Sequence, residues 1–191
     1  MQTSSVIVCT SFENNSRRKQ ELAMRPAADT LYRGVFGGQV EIERFEATQN
    51  FVLDREHAID VRLRVPSGLI LLGQEKFLSH VYAKFASVTV EYLQNSATGE
   101  HGDWFKLAPQ FYFVGYMTED AGAFKPWILL DWSRVVLATH EGRVKWIDNK
   151  NKDGHARASF RYCAMRSFPK ECVIDGNYQA ALSRSSLINA F

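Results

Sequence analysis

The sequence predicts an α+β fold built on a mixed β-sheet. Three observations carry this. Residues 13–24 and 26–38 read as helix. The middle of the chain is a succession of short alternating or apolar strands. Few helical patterns separate those strands, so the chain is not a regular β-α-β repeat.

The elements follow in order. Residues 13–24, "ENNSRRKQELAM", are polar and helix-favouring. Pro26 then interrupts, and "PAADTLYRGVFGG" predicts a second helix with Pro26 at its start, Leu31 and Val35 on one face, and Gly37-Gly38 as its stop. "QVEIERFEA" sets Val40, Ile42 and Phe45 among charges, a half-exposed strand with a slip near Arg44. "AIDVRLRV", residues 58–65, alternates: Val61, Leu63 and Val65 point one way, Asp60, Arg62 and Arg64 the other. "PSG" at 66–68 is turn chemistry, and "LILLGQEKF" returns as a strand. "SVTVEYLQ" is a β-branched and aromatic strand, "NSATGEHG" a turn or loop, "DWFKLAPQ" one short helical turn, and "FYFVGYM" a buried strand. "KPWILLDWSRVVLATHEG" runs from strand into a short helix stopped by Gly142. "NKNKDGH" predicts an exposed loop, "ARASFRYCAM" a last strand, and "DGNYQAALSRSSLINAF" a short terminal helix.

The 191 residues are expected to form a single domain, with a core at about 26–140 and a C-terminal strand and helix extension at 141–191. Hydrophobic residues at 46% and charged residues at 23% exclude a disordered chain. A net charge of +2 does not announce nucleic-acid binding, yet allows a local basic face. Cys9, Cys163 and Cys172 contain no CxxC, so neither a disulfide framework nor a zinc site is expected. The N-terminus lacks the pattern of a secretory signal, and no apolar run reaches the ~20 residues of a membrane span. A cytoplasmic location follows as the expectation.

The hairpin holds the chemistry. A three-residue loop, Pro66-Ser67-Gly68, makes Val65 and Leu69 the closing pair, with Gly68 in the left-handed position. That register sets Asp60 opposite Gln74 and brings Lys76 to the same face, while Glu75 points away. A two-residue Ser67-Gly68 turn would instead set Asp60 opposite Glu75 and turn Lys76 to the far face.

Phosphodiester hydrolysis needs a hard cation, an activated water and neutralisation of developing charge. Asp60 supplies an anchoring carboxylate, Gln74 an amide oxygen and Glu75 a backbone carbonyl. Lys76 can orient the water and offset the charge on the phosphate. The same residues also read as a strand end carrying a solvated Asp–Lys pair, worth little to stability.

"AIDVRLRVPSGLILLGQEKF" resembles the hairpin of the PD-(D/E)xK nuclease superfamily: Asp60, a short turn, then Gln74-Glu75-Lys76. A preceding helix and strand ("PAADTLYRGVFG", "VEIERF") and a following aromatic strand ("FYFVGY") extend the likeness over about 26–140. The resemblance implies a restriction-endonuclease-like core, a central mixed sheet flanked by helices. It also implies Mg²⁺ or Mn²⁺ as cofactor, DNA as substrate, and a homodimer where both strands are cut. Gln74 stands where the family more often has Asp or Glu; branches similar to Mrr-type enzymes carry Gln there. One negative charge fewer implies weaker metal binding. Many members add an acidic residue from the first helix, for which Asp29 is the candidate and Glu43 the runner-up.

Around this site, His57 could reach phosphate, and Arg62 and Arg64 could contact the DNA backbone, or serve as a solvated strand face. Glu91, in an apolar strand, needs a partner, for which Lys76 and Lys106 are candidates. Lys145, Lys150, Lys152, Arg157, Arg161 and Arg166 interleave with Trp146, Tyr162 and Phe168 in a pattern that suits a nucleic-acid groove. Trp104, Trp127 and Trp132 are expected in packing. No GxxxxGK[ST], GxGxxG or GxSxG motif occurs. Three readings result: a metal-dependent DNA endonuclease; a nuclease-like fold without activity that binds nucleic acid or protein; and an interaction protein whose hairpin matches by chance.

Overall fold

The computed structural model describes residues 12–45, 51–149 and 158–178. Three α-helices occur among them: α1 (Phe12–Phe36), α2 (Phe51–His57) and α3 (Trp132–His140). The strands are β1 (Glu41–Arg44), β2 (Val61–Arg64), β3 (Ile70–Leu78), β4 (Ser87–Asn95), β5 (Glu100–His101), β6 (Phe111–Met117), β7 (Phe124–Asp131), β8 (Ile147–Asn149), β9 (Ser159–Ala164) and β10 (Val173–Gly176). A six-stranded sheet has the order β1-β2-β3-β6-β7-β10, and a four-stranded sheet the order β5-β4-β9-β8. In the larger sheet β3 and β6 run parallel and the other neighbours antiparallel, so the sheet is mixed as expected.

Strand β6 explains the layering. It is buried at every position because both faces of the sheet are covered. Phe111 and Phe113 pack with Met24, Ala28 and Tyr32 of α1 and with Val61 and Leu63 of β2. Tyr112, Val114 and Tyr116 pack with Val88, Val90 and Cys163 of the smaller sheet and with Val135 and Ala138 of α3. Helix α1 thus covers one face of the sheet, and the four-stranded sheet together with α3 covers the other.

Three expectations need correction. The two N-terminal helices are one, continuous through Pro26. A proline inside a helix removes a hydrogen bond and costs about 3 kcal/mol. Met24, Ala28 and Tyr32 recur every fourth residue and are wholly buried, and the packing of that stripe on the sheet outweighs the local cost. The helix ends where expected, with Gly37 at φ +106. Next, Ser159–Ala164 is not the last strand: β10 follows and pairs with β7, where a terminal helix was expected to begin at Asp175. The remainder of that expected helix, 179–191, lies outside the described residues. Finally, α2 was not expected; its seven residues are too few to display helical periodicity.

The three tryptophans pack as expected, Trp127 and Trp132 buried and Trp104 partly so. Cys163 and Cys172 are buried free thiols, and Cys9 lies outside the described residues. No helix among the described residues is long and apolar enough to cross a membrane.

Candidate functional site

The β2–β3 hairpin closes as the three-residue loop predicts. Val65 N–H donates to the Leu69 carbonyl at 3.0 Å, and Gly68 has φ +85, a conformation that a Cβ disfavours. The register runs from Arg64↔Ile70 to Val61↔Gly73. Asp60 N–H also donates to the Gly73 carbonyl, at 2.9 Å. Two residues of the β2 side thus share Gly73, the arrangement of a bulge, and the ladder stops there. Asp60 is therefore not the ladder partner of Gln74. Its Oδ2 instead accepts a hydrogen bond from the Glu75 backbone N–H at 3.1 Å.

Beyond Gly73, β3 keeps its parallel partner β6, from Gln74↔Tyr112 to Leu78↔Tyr116, but β2 supplies no further partner. The N–H and C=O of one extended residue point to the same edge of its strand. With its N–H on Asp60, Glu75 directs its carbonyl to that same open edge.

The parity of β3 separates the side chains as expected. Glu75 projects to the α1 side. Its carboxylate accepts from Tyr32 Oη at 3.0 Å, and from Arg44 Nε at 2.7 Å and Nη2 at 2.9 Å. Arg44 Nη2 also forms an ion pair with Asp29 Oδ1 at 2.7 Å. Burial works against the Arg44 charge, but Glu75 and then Asp29 outweigh it and hold its pKa above the ordinary value. Burial first, and then the Glu75 charge, raises the Tyr32 hydroxyl.

Gln74 and Lys76 face the smaller sheet. They line a cleft of about 980 Å³ together with Thr89, Glu91, Tyr112 and Phe160. Lys76 Nζ lies 5.1 Å from the centroid of the Phe160 ring. Gln74 Oε1 is buried and accepts no hydrogen bond among the described residues. An orphaned buried carbonyl costs about 1–3 kcal/mol, so its retention calls for an explanation. Asp60 is strongly perturbed: burial raises its pKa to about 8, opposed by the Glu75 N–H and reinforced by the Glu75 charge.

The other candidates sit further out. Arg62 and Arg64 share the Gln74–Lys76 face by alternation, and pair across the ladder with Glu43 and Glu41. Glu43, the runner-up ligand, is thus engaged by Arg62. His57 is exposed at the end of α2. Asp29, expected from the resemblance to face a metal, is held by Arg44 on the α1 side. The C-terminal aromatics are mostly used in packing: Trp146 contacts Trp104, Trp132 and Phe168, while Arg161 stacks on Tyr92 and Trp104 and pairs with Asp148. Lys150, Lys152 and Arg157 lie outside the described residues.

Sequence reasoning missed the Arg44–Glu75–Tyr32 clamp. The signal was present. Val40, Ile42 and Arg44 alternate onto one face, and an arginine on the apolar face of a strand requires buried carboxylates. By period alone, Arg44 instead marks a slip of the strand.

Among the described residues no three His, Cys, Asp or Glu side chains gather as a metal centre. Oxygen donors of the kind a hard divalent cation takes lie along this stretch of chain: the Asp60 carboxylate, which accepts from the Glu75 N–H, the orphaned Gln74 Oε1 of the preceding residue, and the Glu75 carbonyl. No protein-family model, curated protein or solved structure matches this chain.

Proposed function

We propose that this protein is a metal-dependent DNA nuclease that hydrolyses phosphodiester bonds, as an endonuclease, in the manner of the PD-(D/E)xK superfamily its hairpin resembles. The observation that carries the reading is Gln74 Oε1, buried and without a hydrogen-bond partner among the described residues, next to the residue whose N–H holds Asp60. A cation ligand at that point satisfies an oxygen that the protein itself does not.

Asp60, Gln74 and the Glu75 carbonyl would hold Mg²⁺ or Mn²⁺. When bound, such an ion supplies Lewis acidity to the phosphodiester and lowers the pKa of the attacking water. The rest belongs to the chain. Lys76, on the same face as Gln74, stabilises the negative charge that grows on the phosphoryl oxygens and orients the water. The clamp from Arg44 and Tyr32 fixes Glu75, and through its N–H the carboxylate of Asp60. The backbone turned toward the open edge of β3 is thus set before substrate arrives. Arg62, Arg64 and His57 contribute at most peripheral phosphate contacts, since both arginines already answer Glu43 and Glu41. Cutting both strands of a duplex calls for two such sites, hence a homodimer.

A second reading is a nuclease-like fold without activity that binds nucleic acid or a protein partner. It is favoured by the neutral Gln74 and by the engagement of Asp29 with Arg44, which leave Asp60 as the one carboxylate of the proposed donor set.

Plasmid cleavage with Mg²⁺ or Mn²⁺ tests the proposal, comparing wild type with Asp60→Ala and Lys76→Ala. Nicking or linearisation by the wild type, lost in both variants, is the expected result. A wild type that leaves both the plasmid and a single-stranded circular DNA intact with either metal, or variants that cut equally well, would overturn it.

A further inference from the structure

The strand that carries Gln74 and Lys76 ends at Leu78, and the chain passes through Ser79 into a 3-10 helix, His80–Phe85. This short segment is unusually exposed for its composition: Val81, Tyr82 and Phe85 are 54%, 56% and 60% accessible. In a 3-10 helix residues three apart eclipse one another. Tyr82 and Phe85 are three apart, so their rings share one side, and both line the cleft that Gln74 and Lys76 line. At a rise of about 2.0 Å per residue, the two positions lie about 6 Å apart along the axis. Lys84 Nζ lies 5.2 Å from the Phe85 ring centroid.

The segment is not loosely attached. Ala83 packs into the core beneath it. Its exit is fastened at Ala86, whose carbonyl accepts from Met165 N–H at 2.8 Å, and at Ser87, whose N–H and carbonyl both bond Tyr116 Oη, at 3.2 and 2.8 Å. Ala86 itself adopts φ +41 to end the helix there. Two aromatic rings are thus displayed on an anchored backbone at the mouth of the candidate site, with the Lys84 ammonium beside one of them. That is the make-up of a stacking platform for unpaired bases, which present a free π-face that a base inside a duplex does not.

We infer that Tyr82 and Phe85 form a base-stacking platform that takes a single-stranded DNA segment into the Gln74–Lys76 cleft. The substrate class is therefore DNA with unpaired nucleotides at the scissile phosphate: a single strand, a flap or a frayed end. The inference rests on the nuclease reading for what happens in the cleft, and on the exposed rings for what enters it. Glu21, Glu75, Glu91 and Asp103 line the cleft against Lys76, so its lining is acidic on balance, although Arg44 and Lys106 answer Glu75 and Asp103. Affinity must come from stacking more than from phosphate neutralisation. A shallow salt dependence follows, with a log–log slope between about −1.4 and about −2.1 for two to three phosphate contacts.

The test is fluorescence anisotropy with a labelled oligothymidylate and with a blunt duplex of the same length. It is run in EDTA, so that it reads binding whether or not the protein cuts. Expected are tighter binding of the single strand than of the duplex, a loss of about 10-fold for Tyr82→Ala and for Phe85→Ala, retention in Tyr82→Phe, and loss in Phe85→Leu, which keeps apolar bulk without the ring. Circular dichroism melts confirm that these surface variants fold. The inference is overturned if the Tyr82→Ala, Phe85→Ala double variant binds oligothymidylate as the wild type does, or if the duplex is preferred. It is also overturned if the two substitutions instead abolish self-association in sedimentation runs while leaving oligothymidylate affinity unchanged. A protein that passes this test but cuts neither plasmid nor single-stranded DNA with Mg²⁺ or Mn²⁺ keeps the platform and loses the catalytic reading.

Discussion

Asp60 and Glu75 are joined by a hydrogen bond from the Glu75 backbone N–H to Asp60 Oδ2, at 3.1 Å, while the Glu75 side chain is held on the opposite side of β3 by Arg44 and Tyr32. One residue thus links a buried ion-pair cluster to the carboxylate proposed to bind a cation. The arrangement makes Asp60 costly in the absence of that cation. A carboxyl whose pKa is raised on folding contributes stability below its unfolded pKa, near 4, and loses it as pH rises through the folded value. For Asp60 that value is about 8. In EDTA, the wild type should lose stability between pH 5.5 and 8.5 relative to Asp60→Asn, by about 2 kcal/mol after allowance for solvent access. Urea midpoints of the two proteins at both pH values measure this directly. Parallel behaviour would show that Asp60 is not held in the environment described.

The same proton competes with a divalent cation. Mn²⁺ affinity should therefore rise with pH up to about pH 8 and then level off. Isothermal titration calorimetry across that range follows it, and in Asp60→Asn the pH dependence should vanish together with most of the binding. A flat profile in the wild type would separate cation binding from Asp60.

Removing Arg44 leaves two carboxylates, Glu75 and Asp29, without their cation. Breaking one partner out of a buried pair typically costs about 3–5 kcal/mol. Arg44→Met should fall in this range by urea denaturation. Arg44→Lys should recover only part, because an ammonium cannot reproduce the fork that meets both Glu75 oxygens. A loss below about 1 kcal/mol would mean that the cluster is hydrated rather than buried.

The hairpin was legible because its determinants are local. Pro66 and Gly68 specify the loop, and Val61 and Leu63 specify the face, so the register followed from a dozen residues. The clamp was not, since its four members, Asp29, Tyr32, Arg44 and Glu75, come from three elements and meet only when α1 lies on the sheet. Long-range packing also hid the continuity of α1 through Pro26, where the Met24–Ala28–Tyr32 stripe decides against the local propensity. The second sheet escaped for a related reason. β4 and β6 are both β-branched and aromatic runs, and nothing within either says which strand it will pair with. At the site itself, spacing predicted the faces of Gln74, Glu75 and Lys76, but not the bulge that moves Asp60 off the ladder.

Gly73 is where the hairpin meets β6, and it has no room for a side chain. A Cβ there would lie 2.1 Å from Phe111 Cζ. Gly73→Ala must push the Phe111 ring out of the core beside Tyr32 and Phe36, at a cost of about 2–3 kcal/mol. The substitution touches none of the proposed ligands, yet displaces the backbone on which they sit. A thermal melt should show the loss, and Mn²⁺ titration should show weakened binding in the protein that remains folded. A melting temperature unchanged from wild type would contradict the contact.

Gln74→Glu tests what the neutral amide does. It keeps the shape of the side chain and places a carboxylate where Oε1 is buried without a hydrogen bond. Without metal, a buried carboxyl carries a desolvation cost that the amide does not, so the variant should be less stable than wild type at pH 8 by about 1–2 kcal/mol. With metal the order should reverse. An added anionic ligand strengthens binding of a hard cation, and Mn²⁺ should bind at least about 10-fold more tightly, with a larger stabilisation on saturation. If the cleft cuts DNA, the variant should then reach full plasmid cleavage at lower Mg²⁺ than the wild type. Should Gln74→Glu bind Mn²⁺ no better than wild type while Asp60→Asn is equally silent, neither side chain faces a cation. The orphaned oxygen at Gln74 would then need another partner, for which the unpaired DNA strand itself, offering amino groups of its bases, is the next to try.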